Sequence, residues 1–202
     1  MPQSVWTDPI FLSADDIALP ETSREFLVSR GLPRVMIFEW QNSFEISFSP
    51  LQSKLLPYNT SVRWGDFFDH DLDERWTSEF IVGEEEFCNG SASYCLNAKT
   101  GYVSRIDCQL SIPQSFVNSS VELFSKSLLV AKEWSDSLRT TRMAPSRDTL
   151  TQLADSLECF DPAAFANSDN IWRNLIELML DELSSLTSVV ITDDASYSKP
   201  RF

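Results

Sequence analysis

The only histidine of the chain, His70, sits within Asp66-Phe67-Phe68-Asp69-His70-Asp71-Leu72-Asp73-Glu74. An imidazole among carboxylates could ligate a hard cation or form an acid–base pair. The spacing supports neither. The segment lacks the EF-hand ligand pattern and its loop glycine, and one histidine cannot build the usual zinc set. A Ser–His–Asp or Cys–His nucleophile would have to use the same His70, and no G-x-S-x-G elbow is present. The five glycines never cluster, so the chain has neither a P-loop nor G-x-G-x-x-G. Paired carboxylates of the glycosidase kind are defined by spatial separation, which sequence leaves open. These residues predict no enzyme, no metal and no cofactor.

What the segment does hold is charge. Residues Asp66–Glu86 contain nine carboxylates and one base, Arg75, so about a tenth of the chain carries −8 of a formal −14. Phe67, Phe68, Trp76 and Phe80 lie among these acids. Acid beside aromatic is what a surface for a Lys/Arg-rich protein partner requires. The candidate partner-binding residues are therefore Asp66, Asp69, Asp71, Asp73, Glu74, Trp76, Glu84, Glu85 and Glu86. The same pattern also fits aromatics buried in a core beneath a solvated acidic face.

The overall charge argues against nucleic acid and anionic membrane as direct partners, because both demand clustered Lys and Arg. No run reaches the roughly 18 apolar residues of a membrane span, and the first residues show neither a basic nor an apolar signal region. Cys88, Cys95, Cys108 and Cys159 form no CxxC pair. A cytoplasmic protein with reduced thiols, packed as small hydrophobes, is the expectation.

These residues must be held by a folded scaffold, and 43% hydrophobic residues suffice for one. A helix is predicted at Ser23–Arg30, with Thr22 and Glu25 as a capping box and Gly31 as a left-handed stop. Short β-rich runs follow at Val35–Phe38, Phe44–Phe48, Phe80–Val82, Tyr94–Asn97 and Tyr102–Ile106, the last two joined by a turn at Ala98–Gly101. Strands in succession predict a largely antiparallel sheet. A long helix is expected at Val117–Leu138, capped by Ser119 and Glu122, with Val121, Phe124, Leu128, Ala131, Trp134 and Leu138 as its apolar stripe. Arg139–Arg147 reads as a linker to helices near Arg147–Cys159 and Asn170–Leu186, and the tail from Thr192 as frayed. The fold class is thus α+β, a largely antiparallel central sheet packed with helices plus a C-terminal helical extension. The expected units are residues 1–140, an extension at 141–191 packed on them, and a flexible tail at 192–202.

Several short pieces, in order, resemble the SUKH superfamily, and particularly its fourth subfamily, a branch of bacterial immunity proteins. They are Leu19-Pro20, Arg24-Glu25-Phe26-Leu27, Gly31-Leu32-Pro33, Phe80-Ile81-Val82-Gly83, Tyr94-Cys95-Leu96-Asn97, Thr100-Gly101-Tyr102-Val103, Phe116-Val117-Asn118-Ser119-Ser120 and Glu122-Leu123-Phe124. The likeness covers about Ile10–Leu138, and the Arg147–Leu186 helices go beyond it. It implies an α+β fold, no catalytic residues, Gly31 and Gly83 as backbone-permissive sites, and Phe26, Leu27, Phe116 and Phe124 as core. It further implies a cytoplasmic antidote that binds and neutralises a cognate polymorphic toxin, such as a nuclease or deaminase. Toxins acting on nucleic acid tend to be basic, which gives the acidic segment a matching partner. Fungal relatives are regulatory scaffolds, so an interaction module with an endogenous partner is the alternative.

Overall fold

The computed structural model describes residues 19–33, 36–40, 44–50, 56–57, 77–87, 90–107 and 114–194, with side chains at 19–33, 77–85, 92–107 and 114–185. Helix α1 (Glu21–Ser29) is followed by strands β1 (Met36–Trp40), β2 (Phe44–Pro50), β3 (Leu56–Pro57), β4 (Glu79–Phe87), β5 (Gly90–Asn97), β6 (Val103–Ile106) and β7 (Gln114–Asn118). Helices α2 (Val121–Thr141), α3 (Arg147–Phe160) and α4 (Ile171–Asp194) complete the order, with a 3₁₀ turn at Pro162–Phe165 between the last two. The fold is α+β.

The strands form one sheet in the order β1-β2-β4-β5-β6-β7, every pair antiparallel. β2 and the short β3 line the same edge of β4, through Ser49↔Glu84 and Leu56↔Ile81, so they act as one interrupted strand. A bulge at Val82 places two β4 residues, Ile81 and Val82, against one of β5, and both are buried. β5 itself is buried from Ala92 to Leu96, the mark of a strand covered on both faces. On one face Tyr94, Leu96 and Val103 join Phe124 and Leu128 of α2 in the main core. Ile81, Cys95 and Ile106 are also buried, outside that cluster.

Local signals hold where short-range chemistry decides. Gly31 takes φ +70° after α1, and Gly31 N donates to Leu27 O. The Ala98–Gly101 turn is closed by Asn97 Oδ1, which accepts from Lys99 N and Thr100 N, and by Gly101 at φ +76°. A Cβ at Gly101 would lie 3.4 Å from Pro20 Cγ, so this turn also seats the start of α1. The expected α2 stripe is buried at Val121, Phe124, Leu128 and Ala131 and half-buried at Trp134 and Leu138.

Other expectations are corrected. The Thr22–Glu25 box does not form: Pro20 occupies the N-cap position of α1, and its carbonyl accepts from Arg24 N. α2 is capped by Ser120, whose Oγ accepts from Leu123 N, because Ser119 is bonded to Asp161 instead. Val117 and Asn118, expected to begin that helix, lie instead in β7. α4 runs past Leu186 and Thr192 to Asp194. Gly83 lies in β4 without a positive φ; among the described glycines only Gly31 and Gly101 have one. Of the four residues implied as core, Leu27 and Phe124 are fully buried while Phe26 and Phe116 pack at its margin.

A buried polar hub ties α3, the 3₁₀ turn and α4 to the sheet. Asp161, 2% exposed, accepts from Asn118 Nδ2 at 2.8 Å, from Ser119 N at 2.9 Å and from Ser119 Oγ. Asn118 in turn donates to Ser127 Oγ and accepts from Trp172 Nε1. Trp134 Nε1 adds a bond to Thr149 O, and Lys126 lies over the Phe160 ring.

Candidate functional site

The acidic segment enters the described structure at its C-terminal part. Asp66, Asp69, Asp71, Asp73, Glu74 and Trp76 lie outside the described residues, as do Asp66–Glu74 with His70. Glu84, Glu85 and Glu86 belong to β4, where side chains alternate between the two faces. Glu84 and Glu85 therefore take opposite faces. Glu84, opposite Ser93 and Ser49, is half-buried.

Glu85 is an internal acid, not an outward one. It is 7% exposed, and its Oε2 accepts from Tyr94 Oη at 3.1 Å and from Arg105 Nε at 2.9 Å. Arg105 reaches Asp107 Oδ2 at 3.4 Å as well. The register explains the meeting: Gly83 faces Tyr94 and Tyr94 faces Arg105, so Glu85, Tyr94 and Arg105 share one face of three adjacent strands. Burial, and then the Glu85 charge, hold the Tyr94 hydroxyl well above its ordinary pKa of 10.0. Burial, the largest single influence, works against the Arg105 charge, but the charge and hydrogen bond of Glu85, together with Tyr94 and Asp107, outweigh it and the guanidinium pKa rises. A tyrosine whose folded pKa is raised leaves stability intact below pH 10, and stability falls as pH climbs above it.

Glu79, at the start of β4, is a second buried acid that sequence reading counted only as charge. It is 2% exposed; Oε1 accepts from Asn97 Nδ2 at 2.7 Å, and Oε2 has no hydrogen-bond partner among the described residues. Burial raises its pKa above 4.5, opposed by the amides of Asn97 and Gln114. The folded chain thus holds this proton more tightly than the unfolded one. Its contribution is present below about pH 4.5 and is lost as pH rises through the raised folded value. Glu79→Gln should raise stability at pH 7 by about 1 kcal/mol. Urea denaturation at pH 7 and pH 4 checks this, since the gain should vanish at the lower pH.

A second concentration of charge appears in the C-terminal layer. Residues 147–194 hold Asp148, Asp155, Glu158, Asp161, Asp169, Glu177, Asp181, Glu182, Asp193 and Asp194 against only Arg147 and Arg173, a net −8. Asp148, Asp155, Glu158, Asp169, Glu177 and Asp181 are exposed. Both bases are engaged within the layer, Arg173 with Glu177 and Arg147 with Ser184. Counting charge in windows longer than 21 residues would have found this layer from sequence; its density per residue is lower than in Asp66–Glu86.

Cys95 is buried, as a thiol packed as a hydrophobe should be, whereas Cys159 is exposed. Among the described residues no group of three or more His, Cys, Asp or Glu side chains could hold a metal ion. Nor is any described helix long and apolar enough to cross a membrane.

A family model described as "SUKH-4 immunity protein" matches residues 13–178. The match extends past Leu138 through α3 and into the start of α4, so α3 and the first part of α4 fall inside the family pattern rather than beyond it. No curated protein and no solved structure matches the chain.

Proposed function

The chain belongs to the SUKH-4 immunity protein family, and from that premise we propose that it binds and neutralises a cognate protein toxin through an acidic surface. The family match carries this reading; the charge distribution gives it a chemistry. Two segments each hold −8, and the rest of the chain is close to neutral. Such a surface accelerates encounter with a basic partner and repels nucleic acid, the expected substrate of a nuclease or deaminase toxin. Inhibition here is occlusion, with no chemistry asked of the chain, and it takes place in the cytoplasm of the producing cell.

The surface comprises Asp66, Asp69, Asp71, Asp73, Glu74 and Trp76 with Glu84 and Glu86. Glu85 supports it from within, by fixing Arg105 and Tyr94. The exposed acids of α3 and α4 extend the negative field. Co-expression of the chain with a toxin encoded beside it tests the proposal. Restored growth together with a co-purifying complex is the expected result; toxicity unchanged by the chain, with no complex, would sink it.

A further inference from the structure

We propose that the α2–α3 turn, with Arg139, Arg142 and Met143, is a separate interaction surface for a carboxylate-bearing segment of a protein partner. It does not rest on the acidic-surface reading and would stand if that reading failed. The turn closes α2 with paired bonds, Arg142 N to Arg139 O at 3.3 Å and Met143 N to Leu138 O at 3.2 Å. This closure needs one left-handed residue, a place that glycine fills at no cost. Here it is Arg142 at φ +53°, the one described non-glycine residue with positive φ. The residue after it ordinarily packs its apolar side chain back onto the helix. Met143 instead is 61% exposed.

Arg139 and Arg142 are exposed and have no carboxylate partner among the described residues, in a chain of net charge −14. Complementing the carbonyl end of α2 accounts for a cation near this position. It accounts neither for an arginine where glycine is unstrained nor for a bare methionine beside it. Strained backbone persists where it serves a contact, and Arg and Met are the types enriched at protein interfaces. Two arginines spaced around an apolar tip fit a segment bearing carboxylates and a hydrophobic side chain. Nucleic acid fits poorly, since so few cations release few counterions and the rest of the molecule repels phosphate.

The test is an amide NMR titration of the full chain with a blocked hexapeptide of four glutamates and two leucines. Saturable shifts centred on residues 139–143 are expected, with at least tenfold weaker binding in Arg139→Glu/Arg142→Glu. Arg142→Gly should raise the melting temperature by a few degrees while weakening binding severalfold, a split that a purely structural turn would not show. Equal shifts with the glutamine version of the peptide would overturn the proposal. So would equal shifts with inorganic phosphate, or an Arg142→Gly variant that binds the peptide as well as the parent.

Discussion

Asp161→Ala is expected to destabilise the protein by about 3 kcal/mol or more, a large share of the 5–15 kcal/mol that holds a typical domain together. The carboxylate serves three donors at once: Asn118 Nδ2, Ser119 N and Ser119 Oγ. Alanine strands a part-buried backbone N–H and part of the buried Asn118 amide, the latter alone costing about 1–3 kcal/mol. The melting temperature should fall by about 6–12 °C. Asp161→Asn keeps the volume and one acceptor oxygen, so it should lose less. If both variants melt within a degree of the parent, the hub does not hold the C-terminal layer in place.

The second large effect lies in the sheet. Arg105→Met should cost about 3–5 kcal/mol, because it leaves the Glu85 carboxylate buried without its cation. Most of that cost is the stranded charge rather than the worth of the pair. The double variant Glu85→Leu/Arg105→Met should therefore recover much of the loss, and denaturant unfolding of the full cycle measures the coupling. A double variant less stable than Arg105→Met would show that the pair itself, and not the abandoned charge, carries the energy.

These two networks mark the limit of what sequence could tell. The stop of α1 at Gly31, the Ala98–Gly101 turn and the stripe of α2 depend on neighbours within a few residues, and they were legible. Asp161 looks like any acid after a helix; its partners lie 42 and 43 residues away. Once it claims Ser119, the cap of α2 passes to Ser120, which no local pattern distinguishes. Glu84, Glu85 and Glu86 read as one solvated block until β4 extends to Phe87 and its alternation turns Glu85 inward. Arg105, twenty residues on, was its partner by sheet register alone. The acidic character of the Asp66–Glu86 segment could be read from composition; that Glu79 and Glu85 are buried could not.

Association kinetics with the toxin that the chain protects against test the central claim most directly. Rates would be measured from about 0.05 to 0.5 M salt, where screening of exposed charge strengthens markedly. The proposed interface predicts an association rate that falls steeply with salt. It also predicts that reversing Asp71, Asp73 and Glu84 to lysine slows association and flattens the salt dependence, more than reversing Asp155, Glu158 and Glu177. A rate indifferent to salt, and to both sets of reversals, would contradict an acidic binding surface.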